Sequence, residues 1–116
     1  MVLLSLLAAS VVVGGPAYAE AQARAVAQAA GPGHGYSVPN DQAIISGAFD
    51  NCILIEGKPP TRGFGVVVTF GPTGKVETIY LSEETPVTRC MVGRLEALEA
   101  TNAPLPDYTI LMTFDP

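Results

Sequence analysis

The stretch from Gly63 to Ser82, GFGVVVTFGPTGKVETIYLS, constrains this chain more than any other, because it can hardly be anything but a β-hairpin. Phe64, Val66, Val68 and Phe70 fall on one side of a strand, and Gly65, Val67 and Thr69 on the other. This is period-two alternation with one strongly apolar face. Gly71-Pro72-Thr73-Gly74 follows and combines a fixed φ with permissive glycines, the chemistry of a turn. The returning run, Lys75 to Ser82, changes parity. Val76 is apolar, yet the next apolar pair, Ile79 and Leu81, lies on the opposite side. A bulge just after the turn reconciles the two. Ile79 and Leu81 are then inward and Thr78, Tyr80 and Ser82 outward; the alternative register buries Tyr80 and exposes Ile79.

Two amphipathic helices flank the hairpin. Pro39-Asn40-Asp41 opens the first, with Asn40 or Asp41 as N-cap and an expected span of Gln42 to Leu54. Its apolar stripe is Ile45, Phe49, Cys52 and Ile53, with Ala48 alongside. Thr85-Pro86 opens the second, a good N-cap followed by the residue favoured at the first helical position. Val87, Cys90, Met91, Leu95 and Leu98 form its stripe, and it is expected to end near Glu99. Gly93 within it suggests a close backbone approach. A last strand, Asp107 to Phe114, alternates Tyr108, Ile110, Met112 and Phe114 inward with Thr109, Leu111 and Thr113 outward.

Charge and the amino terminus set the compartment. Eleven acidic residues against six basic ones give a net charge of −5, which argues against a nucleic-acid binder and against anionic lipid as partner. Residues 1–19 carry no charge, Val2 to Val13 is apolar, and Ala17-Tyr18-Ala19 fits a small-x-small cleavage site. This reads as a signal peptide cleaved before Glu20, giving a periplasmic or secreted chain. The run is short for a membrane span, and it lacks the usual basic n-region. An uncleaved anchor, or a start inside a longer reading frame, is the other possibility. Residues 20–35 are Ala/Gln-rich, then Gly/Pro-rich, and read as a frayed helix or disordered linker. The folded domain is then residues 36–116, with no membrane span in the mature chain.

Cys52 and Cys90 are the only two cysteines, one on the apolar stripe of each helix. In an exported protein such a pair reads as one disulfide; the alternative is two buried free thiols. No Cys-x-x-Cys is present, which disfavours a redox-active pair.

The element order helix, strand, strand, helix, strand, with a cysteine on each helix, resembles the TonB C-terminal-like domains. The nearest likeness is the cysteine-paired variant of myxobacterial gliding-motility and outer-membrane-associated proteins. The matching residues are Cys52, Gly63-x-x-Val66-x-Val68-x-Phe70, Gly71-Pro72-x-Gly74-x-Val76, Ile79-x-Leu81-Ser82, Val87-x-x-Cys90-Met91 and the strand Tyr108 to Phe114. The family's intramembrane histidine, Pro-rich spacer and aromatic-Pro helix ending have no counterpart here. What the resemblance implies is therefore the fold, the disulfide and a habit of binding by strand addition. The expected fold is α+β, α-β-β-α-β, with a three-stranded antiparallel or mixed sheet and two helices packed on one face.

The functional reading follows from the sheet edges. Glu77, Glu83 and Glu84 guard the edge of the returning hairpin strand. The last strand has no charge between Asp107 and Asp115, and an uncharged apolar edge invites pairing. Tyr108, Thr109, Ile110, Leu111, Met112 and Thr113 are accordingly the candidate partner-binding residues. The partner is a cell-envelope protein or a second copy. The outer sheet face, with Val67, Thr69, Thr78, Tyr80, Thr109, Leu111 and Thr113, is either a binding platform or a half-wet surface. A second reading is a secreted protease inhibitor presenting the stiff Lys58–Arg62 loop. Enzymatic activity is not expected. Asp50, Glu56, Asp107 and Asp115 show no pairing, Ser46 and Ser82 lack a base, and His34, the only histidine, sits between glycines without an orienting partner. No cofactor or metal site is implied, since zinc needs three or four ligands.

Overall fold

A computed structural model describes residues 9–116. Seven elements follow in the order β1 (Ser10–Val13), α1 (Gly15–Ala30), α2 (Asp41–Cys52), β2 (Phe64–Phe70), β3 (Val76–Leu81), α3 (Pro86–Leu95) and β4 (Thr109–Phe114). The strands form one mixed sheet in the order β1-β3-β2-β4. β2 is antiparallel to β3 and β4, and β1 runs parallel to β3. The class is α+β, as the pattern requires, but among the described residues the sheet has four strands rather than three, and there are three helices rather than two.

The hairpin behaves as its parity demands. Val68 faces Ile79 and Thr69 faces Thr78, but Phe70 faces Val76, so Glu77 is the extra residue of a bulge just after the turn. Ile79 and Leu81 are buried in the main core, which decides the register, and Tyr80 packs on the other face. Every residue of β2 is buried, on both of its faces.

The Phe64, Val66, Val68 and Phe70 side packs against α2 and α3 together with Met91, Leu95, Leu98 and Met112. Phe64, Phe114 and Phe49 stack in one aromatic run. A Cys52–Cys90 disulfide joins α2 to α3 with the two Cα atoms 5.6 Å apart. Closing 38 residues of chain this way is worth about 4 kcal/mol in the chain-entropy account. The Thr85 hydroxyl accepts from the Thr88 amide and the Thr88 hydroxyl accepts from the Thr85 amide, a reciprocal cap at the start of α3.

Several local expectations change. Asn40 is the N-cap of α2 but takes a left-handed conformation and makes no side-chain cap bond. α2 stops at Cys52, leaving Leu54 and Ile55 exposed in the turn that follows. α3 stops at Leu95 rather than Glu99. The chain instead leaves the helix so that Glu99 bridges to Lys75 and the Ala100 amide donates to the Gly74 carbonyl at 2.8 Å. Gly74 has φ 88° and lies so close that a Cβ would sit 2.6 Å from the Ala100 carbonyl oxygen, so the hairpin turn needs this glycine twice over. Gly93 makes no close approach: a Cβ there would meet open space.

The largest correction is on the opposite face of the sheet, which carries α1. Residues 20–30, expected as frayed helix or linker, belong to this helix, and described structure begins ahead of Tyr36. Ala21 and Ala25 are buried against Val67, with Tyr18, Tyr80 and Leu111 packed around them. Helices therefore cover both faces, not one. β1 fills the edge of β3, and the Gly14 amide donates to the Leu81 carbonyl at 2.7 Å. The expected signal segment falls partly on residues 1–8, outside the described residues.

Candidate functional site: the outer border of the last strand

β4 lies beside β2 and forms one border of the sheet. Its hydrogen-bonding parity is fixed by one bond, in which the Phe70 amide donates to the Tyr108 carbonyl at 2.8 Å. In an antiparallel pair, residues facing each other alternate between bonded and non-bonded. Tyr108, Ile110, Met112 and Phe114 thus turn their backbone groups toward β2. Thr109, Leu111 and Thr113 turn theirs outward, toward the border.

The six residues expected to bind a partner divide accordingly. Tyr108 is buried in the main core, edge-on to Tyr36 with ring centroids 4.9 Å apart. Met112 is also buried there, and Ile110 packs against the same cluster. Thr109 is buried beneath α1, at 2% exposure, and offers nothing to a partner through its side chain. Leu111 is half-buried beside α1 and Thr113 is exposed. The usable part of the border is therefore the backbone of Leu111 and Thr113 with the side chains around them.

Gln28 on α1 closes the start of the border. The Thr109 amide donates to its Oε1 at 2.8 Å, and its Nε2 donates to the Asp107 carbonyl at 3.3 Å. The Thr109 hydroxyl donates to the same carbonyl at 2.8 Å, so in the 3.1 Å pair with Thr69 it is the acceptor. Arg24 completes the set: Nε donates to Thr109 Oγ1 and Nη2 to Thr69 Oγ1, both at 3.3 Å, with the guanidinium 6.0 Å from the Tyr80 ring centroid. Sequence reasoning missed both residues. The signal was present in the spacing of three, four and three that puts Tyr18, Ala21, Ala25 and Gln28 on one helix face.

Between α1 and β4 lies an open apolar cleft of about 530 Å³, walled by Val26 and Ala29 of the helix and by Ile110 and Leu111 of the strand. Val26 is 57% exposed at its rim. A strand added to β4 would direct alternate side chains into this cleft. Burial raises the Tyr108 phenol above its ordinary value, and Tyr36 and Asp41 nearby raise it further.

The other candidates are less organised. His34 is exposed on the loop after α1. In the loop before β2, Arg62 Nη2 donates to both carboxylate oxygens of Glu83 at 2.7 and 3.0 Å, so this side chain is already paired. The cleft of about 510 Å³ between the hairpin turn and residues 99–106 has Glu99 as its one ionisable lining residue, and Glu99 pairs with Lys75 at 3.4 Å. Among the described residues, no three His, Cys, Asp or Glu side chains are grouped to hold a metal ion. Comparison with protein families, with curated proteins and with solved structures gives no match for this chain.

Proposed function

We propose that this chain is a non-enzymatic protein-binding module of the periplasm or the extracellular space that engages a cell-envelope partner by adding a strand to the outer border of β4. The observation that carries the reading is the border itself. Leu111 and Thr113 point backbone donors and acceptors away from β2, no charged residue interrupts positions 108–114, and an apolar cleft runs alongside. Backbone pairing supplies affinity in this mode, and pockets for alternate side chains supply specificity. The TonB C-terminal-like resemblance supports the same mode.

The Cys52–Cys90 disulfide fits an oxidising compartment. Among the described residues, no helix is long and apolar enough to cross a membrane. Cleavage before Glu20 would remove β1 and the first five residues of α1, Tyr18 among them, but none of Ala21, Arg24, Ala25 and Gln28.

A photoreactive amino acid placed at Thr113 in the exported protein tests the reading. The expected result is a crosslink, mapped by mass spectrometry to an extended segment of one envelope protein and lost on Leu111→Pro. The Leu111 amide faces outward, so proline there removes a donor from the border and not from the β2 ladder. Crosslinks that are absent, or that are indifferent to Leu111→Pro, contradict the proposal.

A further inference from the structure

The bonds made by Gln28 have the geometry of a missing strand. In a parallel pair, one residue of the neighbouring strand accepts from the N–H after the residue it faces and donates to the C=O before it. The Gln28 carboxamide does both around Tyr108: it accepts from the Thr109 amide and donates to the Asp107 carbonyl. A helix side chain thus occupies the first pairing position of the border. The next outward groups are the Thr109 carbonyl, both groups of Leu111 and both groups of Thr113.

The charges around this stretch are one-sided at its start. Asp107 is exposed there, and Asp41 is near enough to act on the Tyr108 phenol. At the far end Asp115 is exposed beside Gly63, while the neighbouring Arg62 is neutralised by Glu83. A second copy is a poor occupant. Two-fold antiparallel pairing through Leu111 and Thr113 sets Asp115 of each copy opposite Thr109 or Leu111 of the other, on the border whose start already carries Asp107. It also brings together two chains of net charge −5.

Resting on the strand-addition reading, we infer that Gln28 fixes where pairing begins, and that Leu111–Phe114 takes a short extended segment of a different protein. That segment carries apolar residues at alternate positions and a Lys or Arg at the end that meets Asp107. Alternate side chains enter the cleft between Val26, Ala29 and Leu111. Gln28 also sets the length recognised, because a longer segment would have to displace a buried carboxamide that satisfies two backbone groups.

Two capped synthetic peptides, Lys-Val-Ser-Val-Ser-Lys and Glu-Val-Ser-Val-Ser-Glu, test this on the intact protein by amide-resolved NMR titration. Lysine ends cover either strand direction. The lysine-ended peptide should shift the Leu111 and Thr113 amides, leave the Gln28-bound Thr109 amide in place, and bind roughly tenfold more tightly at low salt. The advantage should shrink toward none at about 1 M salt. Gln28→Ala should extend the shifts to Thr109 and tighten binding, and Asp107→Asn should reduce the preference for lysine. Equal binding of the two peptides at Leu111 and Thr113 overturns the charge preference and leaves strand addition standing. A wild-type titration that moves Thr109 overturns the role of Gln28. Self-association that protects residues 111–113 assigns the border to a second copy and overturns the inference alone. No shift at Leu111 or Thr113 with either peptide at millimolar concentration overturns the inference and the proposed function together.

Discussion

The two faces of the sheet are closed by different means. Under α2 and α3 lie large apolar side chains, Phe64, Phe70, Met91, Leu95 and Met112 among them, with a covalent link between the helices. Between α1 and the sheet lie two alanines of the helix and Val67, with Arg24, Gln28, Thr69 and Thr109 joined by hydrogen bonds. The first face gains its stability from area removed from water. The second buries polar groups, which is tolerable because each finds a partner. Among the described residues, no buried side-chain nitrogen or oxygen is left without one. The apolar face can therefore absorb small changes, whereas the polar face is exposed to the full cost of an orphaned group. That polar face also reaches the border, where Gln28 bonds the Thr109 amide and the Asp107 carbonyl.

The difference between the two faces is largest at the disulfide. Replacing Cys52 and Cys90 by serine together should cost about 4 kcal/mol in urea unfolding. The loosening should fall on α2 and α3, with the Thr109 amide still protected by Gln28. A loss below about 1 kcal/mol, or one spread equally over both faces, would remove the asymmetry.

A smaller effect is expected from the polar face. Gln28→Ala leaves the Thr109 amide and the Asp107 carbonyl without their side-chain partner and should cost about 1–3 kcal/mol, with faster exchange at Thr109. In the uncleaved chain Gly65→Ala should cost less, about 1 kcal/mol, because a Cβ at this position meets the Tyr18 hydroxyl, the outer end of a half-buried side chain. In the Tyr18→Ala background the same change should cost much less, a non-additivity that places the clash between these two residues.

The smallest effect is at alkaline pH. Burial raises the phenol pKa values of Tyr18 on the α1 side and of Tyr36 and Tyr108 on the other. A raised folded-state value means that the native state holds its proton more firmly than the unfolded chain. The associated stability is complete below about pH 10, the unfolded tyrosine value, and is lost as pH climbs from there through the higher folded values. In the uncleaved chain, Tyr108→Phe and Tyr18→Phe should each flatten part of that decline in melting temperature. An unchanged slope in both variants would mean that neither phenol is linked to folding in this range.

The apolar face was legible in the sequence because its signals are periodic and redundant. The hairpin alternation, the change of parity at Glu77, the Thr85-Pro86 start and the cysteine on each helix all point one way. The polar face was not. Its helix lies in an Ala/Gln-rich segment whose small side chains carry a weak hydrophobic signal, and a signal-peptide reading of residues 1–19 set the start of that helix aside. The uncharged outer face of Val67, Thr69, Thr109 and Leu111 was itself a sign that something covers it. The candidate border was legible as an uncharged run but not in its detail. Which of its residues are free depends on Gln28, some eighty positions away, and no local pattern encodes that contact.

Amide hydrogen exchange along β4 in a dilute, monomeric sample reads directly whether its outer border is open. Exchange should be slow at Thr109, held by Gln28, and at Ile110 and Met112, turned toward β2, and fast at Leu111 and Thr113. Slow exchange at Leu111 and Thr113 without a partner would show the border already satisfied, and an open recruiting edge would then have no place in this protein.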